Sequence, residues 1–182
     1  MSGLGIATGT IRSRLALGAV AGVIALGVVY LRTPLLDGPI DVPLLDADDG
    51  LYYRTQIEAL LEPGGLSHVR RLGAPFETSF FDIPSCDFTH LAVLAVLARV
   101  VSPVVAFNLF YLQGFFTSAL TATIVARRER LHALLAIAVG VLFAIAPYHF
   151  LRLSHLHLAS YAGIPLVVAA ALDLGRGAPR TT

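Results

Sequence analysis

The sequence predicts an all-α, polytopic transmembrane helical protein of about four spans, with a long first external loop containing surface helices. Three observations carry that expectation. The 182 residues are 56% hydrophobic and only 14% charged, whereas a soluble domain carries about a quarter charged residues. Mean hydropathy is +0.76, which excludes a disordered chain, since disorder needs low hydrophobicity and many charges. The arginines, finally, stand between long uncharged windows rather than inside them. A net charge of +1 from scattered arginines gives no sign of a nucleic-acid partner. The single cysteine, Cys86, forms no intramolecular disulfide and fits no multi-cysteine metal pattern.

The first element follows a short N-terminal segment, residues 1–14. Between Arg14 and Arg32 the chain is uncharged and apolar, close to the lower length limit for crossing a bilayer. Arg12 and Arg14 ahead of this run also suit a secretory signal, but the run exceeds the usual core of about 7–15 residues and lacks a small-x-small cleavage site. An uncleaved first span at 15–32 is expected.

A loop at 33–102 follows. Within it, Tyr53, Ile57, Leu60 and Leu61 recur at helical spacing after the acids Asp46, Asp48 and Asp49, and Glu62-Pro63-Gly64-Gly65 ends the pattern. Residues 88–101 are apolar and helix-compatible after a candidate Asp87 cap, yet too short to span, so a helix along the membrane surface is expected. Ser102-Pro103 reads as an N-cap and first helical residue, opening a second span at 103–126. A turn at 127–130 leads to a third span at 131–151, a tight turn at 152–157 and a fourth span at 158–173, with Pro147 and Pro165 as interruptions and 174–182 as tail. Short cytoplasmic loops retain positive charge. With four spans, Arg12 and Arg14, the Arg127-Arg128-Glu129-Arg130 turn, and Arg176 with Arg180 share one side, which is then the cytoplasm. The opposite side receives the loop that holds every acidic residue except Glu129 and Asp173.

Chemistry is expected in that loop. Asp48 and Asp49 are adjacent carboxylates at a helix start; they suit a base and a metal or hydroxyl anchor, and equally suit capping of free N–H groups at the positive end of the helix dipole. Arg70 and Arg71 can grip a phosphate in bidentate fashion or touch anionic headgroups. They precede a Gly/Pro-punctuated stretch at 72–84, which reads as a folded loop covering a pocket. His149, Arg152, His155 and His157 stand at a helix junction, where they suit a metal or a pyrophosphate. The spacing is no metal signature, and interfacial side chains ending a span account for it as well. His90 and His132 read as interfacial residues and His68 as a loop residue. Glycine-rich phosphate loops, nucleophile elbows, paired Cys-x-x-Cys and His-Glu-x-x-His patterns are absent from the sequence. Ser85, Ser102 and Ser154 sit in no pattern that marks a nucleophile.

One span, an Asp-Asp-x-x-Tyr-Tyr stretch at Asp48, Asp49, Tyr52 and Tyr53, and a long external loop with a surface helix resemble the amino-terminal portion of polytopic GT-C glycosyltransferases. The stretches 72–76, 106–109 and 147–165 are also similar to large bacterial membrane proteins grouped with them or with the YfhO-like family. The resemblance implies sugar transfer from a polyprenyl-phosphate donor to an extracytoplasmic acceptor at the bacterial inner membrane, with the N-terminus cytoplasmic. It implies Asp48 and Asp49 as the catalytic carboxylates, a base or a metal anchor, with inversion at the sugar carbon. It sets Arg70, Arg71 and Arg152 against the lipid phosphate, and Tyr52, His149, His155 and His157 as donor or metal contacts. No cofactor is fixed beyond a divalent cation, magnesium or manganese, as candidate. The partners are the lipid bilayer, the polyprenyl-phosphate sugar and other membrane subunits. On this resemblance the chain reads as one part of a longer transferase. A different class also fits, a non-catalytic membrane subunit or a component of a lipid-linked sugar translocase, although transport pathways place ionisable residues within spans and these windows hold almost none.

Overall fold

The computed structural model describes residues 10–32, 38–44, 49–73, 75–82, 87–152, 155 and 160–177. Among these the fold is helical without strands. The helices are α1 (Ile11–Arg32), α2 (Asp49–Leu60), α3 (Phe88–Leu97), α4 (Pro103–Arg128), α5 (Ala133–Ala144), α6 (Pro147–Leu151) and α7 (Ile164–Gly175), with a 3-10 turn at Phe80–Asp82. Among the described residues, three segments are long and apolar enough to cross a membrane: Ile11–Arg32, Pro103–Arg128 and Ala133–Leu151. The chain divides into two compact units, one comprising Met1–Thr33, Leu112–Phe150 and Ser160–Thr182, the other Pro34–Tyr111 and Leu151–Ala159.

In the first unit, α1 packs along α5 through small residues. Its buried positions are Gly18, Ala21, Gly22, Ala25 and Val29, a stripe recurring every three to four residues. A Cβ on Gly18 would press on Leu120, and one on Gly22 would collide with the Phe116 ring. Gly140 of α5 admits Thr123 and the Ala119 carbonyl of α4 in the same way. Large apolar side chains face outward instead: Val20, Val23 and Leu31 on α1, Leu134, Leu135 and Leu142 on α5, and Val167, Val168 and Leu174 on α7 are exposed. Small residues inside and large apolar ones outside is the arrangement that lipid favours. In lipid no hydrophobic force drives helices together, and close backbone approach supplies the attraction.

The third apolar segment is broken, where one helix over 131–151 was expected: α5 ends at Ala144 and α6 starts at Pro147. Pro147 has no N–H for the Phe143 carbonyl and its ring crowds that carbonyl. Two side chains occupy the gap. The Tyr161 hydroxyl lies 3.1 Å from the Phe143 oxygen and 3.2 Å from the Ala144 oxygen, and His149 Nδ1 lies 2.9 Å from the same Ala144 oxygen.

In the fourth window, expected at 158–173, the described residues 160–163 precede a helix that starts at Ile164, and Pro165 sits at the start of α7 rather than interrupting it. At 12 residues and about 1.5 Å each, α7 is shorter than the ~30 Å hydrocarbon core. Its far end is tied to α4 by ion pairs of Arg128 with Asp173 and of Arg176 with Glu129 at 2.8 Å. Helix α4 closes in a Schellman-type turn, with Leu131 N–H bonded to the Ala126 oxygen (3.1 Å) and Arg130 N–H to the Arg127 oxygen (3.2 Å). The residue at the left-handed position is Arg130, φ 66°, where glycine is usual and a side chain costs roughly 1–2 kcal/mol.

In the second unit the helix starts follow their caps. Asp87 accepts the His90 N–H (3.3 Å) at the start of α3, and Ser102 Oγ accepts the Val105 N–H (3.3 Å) at the start of α4. Helix α3 stops at Leu97, short of the expected 101, and residues 98–100 form a turn. Helices α2 and α3 pack on each other around Tyr53, Ile57, Leu91 and Leu94, all buried. The loop at 66–80 is held by a bridge between Val69 and Thr78. Gly73, φ +78°, makes the reversal inside it, where Thr78 leaves no room for a Cβ.

Candidate functional site

The acidic helix start and the histidine-bearing junction meet in the second unit. Helix α2 opens at Asp49, which sets a carboxylate at the positive end of the helix dipole, as capping requires. The same carboxylate also faces His155, whose Nδ1 lies 3.3 Å from Asp49 Oδ2. The Asp49 side chain is 52% exposed and that of His155 31%, so the pair is open to a ligand. A turn closed by His155 N–H on the Arg152 oxygen (3.0 Å) keeps exposed Arg152 within one turn of this pair.

The aromatic residues that follow Asp49 form its floor. Tyr53 is buried, and Tyr52 meets it edge-on with ring centroids 5.7 Å apart; Tyr52 also meets Phe80 edge-on at 5.6 Å. Tyr111 of α4 is 3% exposed. Its hydroxyl has no hydrogen-bond partner among the described residues, and Asp49 and Tyr53 lie within its electrostatic reach. A buried hydroxyl left unpaired costs about 1–3 kcal/mol.

The strand of chain leading to the acids is clamped by one side chain. Asn108, fully buried on α4, donates from Nδ2 to the Ile40 oxygen (2.7 Å) and the Val42 oxygen (2.8 Å). Its Oδ1 accepts the Leu44 N–H (3.0 Å). Sequence reasoning assigned no role to Asn108 or Tyr111. The available signal was the only asparagine of the sequence, set inside a long uncharged window.

The other sequence candidates are distributed differently. Asp48 and His157 lie outside the described residues, as does Cys86. Arg70 pairs with Glu77 (3.3 Å) and Arg71 with Glu62 (2.8 Å). Both guanidiniums are largely exposed, and neither forms an ion pair with Asp49 among the described residues. With Glu62, Pro63, Gly64, His68 and Glu77, Arg70 lines a cavity of about 390 Å³, on which His68 also pairs with Glu77 at 2.9 Å. His149 belongs to the first unit, where it is buried and stacks on Phe115 with centroids 3.9 Å apart. His90 is paired with Asp87 and meets Phe110 edge-on. Asp49 and His155 supply two donors for a divalent cation, but no three His, Cys, Asp or Glu side chains converge among the described residues. That set is incomplete for magnesium or manganese, which favour octahedral oxygen coordination.

No protein family, curated protein or solved structure matches the chain.

Proposed function

We propose that this protein is a membrane-bound glycosyltransferase of GT-C type, moving a sugar from a polyprenyl phosphate to a hydroxyl acceptor outside the cytoplasm, with Asp49 as base. The supporting observation is the Asp49–His155 pair at 3.3 Å, which folding assembles from two distant candidates. An alcohol with a pKa far above neutrality needs a proton acceptor as its oxygen attacks. Asp49 takes that proton while the acceptor oxygen bonds to the sugar carbon from one face. The bond from that carbon to the phosphate oxygen breaks on the other, so the configuration inverts and the lipid phosphate departs with the electron pair. His155 orients the carboxylate. Arg152, within one turn of His155, is the cation assigned to the phosphate, since Arg70 and Arg71 already face carboxylates. In this reading the loop at 33–102 lies outside the bacterial inner membrane, the N-terminus is cytoplasmic, and the window at 158–173 makes a fourth crossing.

The test is sugar transfer from a radiolabelled polyprenyl-phosphate sugar in membrane vesicles carrying the chain. Asp49→Asn is expected to lower turnover at least a hundredfold, the low end for loss of general base catalysis, with membrane insertion unchanged. Equal transfer by the variant removes Asp49 as base, and absence of transfer by the wild-type chain rejects the transferase reading.

A further inference from the structure

At the end of α4, a cavity of about 450 Å³ is lined by Arg128, Glu129, Arg130, Asp173 and Arg176. Two of its guanidiniums are already balanced, Arg128 by Asp173 and Arg176 by Glu129. Arg130 is exposed and makes no ion pair among the described residues, so three cations against two carboxylates leave one positive charge. The backbone adds an independent observation. Arg130 occupies the left-handed position of the helix-ending turn, φ 66°, where glycine or asparagine closes the turn with less strain. Strain retained at one position points to a use for the side chain that causes it. The cavity opens where α4, long and apolar enough to cross a membrane, and α7 both end. With α4 crossing a bilayer, its end falls at the level of the headgroup phosphates.

We infer that this cavity binds the headgroup of a monoanionic phospholipid, with the phosphodiester taken by Arg130 against the Arg128–Asp173 and Arg176–Glu129 frame. A single negative charge balances the single excess positive one. The planar guanidinium suits two phosphate oxygens at once. The two ion pairs hold the frame open, because each arginine is drawn toward its carboxylate rather than into the middle.

The test uses the full chain in phosphatidylcholine nanodiscs doped with phosphatidylglycerol. Lipid retention is read by native mass spectrometry, and phosphatidylglycerol titration by tyrosine fluorescence, since the chain has no tryptophan. Arg130→Asn keeps a residue suited to the left-handed turn and is expected to weaken phosphatidylglycerol binding roughly tenfold or more, the loss of one hydrogen-bonded charge. Arg130→Lys is expected to recover part of it. Arg12→Gln removes the same charge outside the cavity and is expected to leave binding within twofold. Unchanged binding in Arg130→Asn overturns the proposal, and so does an equal loss in Arg12→Gln, which would mean surface attraction alone. Inorganic phosphate is the third arm: saturable competition by it at equal affinity means a free-phosphate site and overturns the lipid assignment. Circular dichroism of Arg130→Asn is expected to match the wild type, which keeps a binding loss attributable to the side chain.

Discussion

Asn108 shows how much one buried amide does in an apolar setting. Its two N–H bonds and its carbonyl hold Ile40, Val42 and Leu44, the stretch that delivers the chain to the acidic helix start. In Asn108→Leu two backbone carbonyls and one N–H lose their partner, at about 1–3 kcal/mol for each group that water cannot reach. The expected result is a lower thermal midpoint in detergent, together with new protease cleavage near residue 40, read by mass spectrometry. Residue type told less than residue partner elsewhere. Arg70 and Arg71 have the chemistry to hold a phosphate, yet Glu77 and Glu62 occupy their guanidiniums. Those carboxylates come to them through the Val69–Thr78 bridge and the turn after α2, neither of which leaves a local sequence pattern. Asp49 stands in the first turn of α2, and from that position its carboxylate faces His155.

Helix ends were largely legible because they are local chemistry. Asp87, Ser102 with Pro103, and the Pro63-Gly64-Gly65 stop act within a few residues of themselves: α3 and α4 begin, and α2 ends, close to where they indicate. The third apolar segment was harder, because hydropathy runs through Pro147 unbroken. Two α-helices form instead, their freed carbonyls satisfied by Tyr161 and His149 from further along the chain. Packing among α1, α4 and α5 rests on close approach. Gly22→Val forces a branched side chain into the Phe116 ring and Gly140→Val forces one into Thr123 and the Ala119 carbonyl. Each is expected to destabilise by about 1–3 kcal/mol, the usual cost of overpacking, seen as an earlier unfolding transition in detergent. Gly27→Val, where nothing lies within 4 Å of the added carbon, is the control and is expected to change stability by less than about 1 kcal/mol.

For the chain in its membrane, sidedness is the property on which the proposed chemistry depends. Alkaline phosphatase fused after Gly65 is expected to be active outside the cytoplasm, and a fluorescent protein fused after Glu129 to fold inside it. The reverse pattern would put Asp49 and His155 on the wrong side for a polyprenyl-phosphate donor presented externally. That the chain is helical and lipid-facing could be read from composition and window length, because transfer of apolar surface and satisfaction of backbone hydrogen bonds are summed along the chain and need no knowledge of partners. Likewise the helix starts, set by side chains next to their own backbone, were open to inspection in the linear order. Which side chains meet was not. The approach of His155 to Asp49, the Asn108 clamp and the excess charge at Arg130 each join segments far apart in the chain. The energy of such contacts depends on distance in space, a quantity that spacing along the chain does not contain.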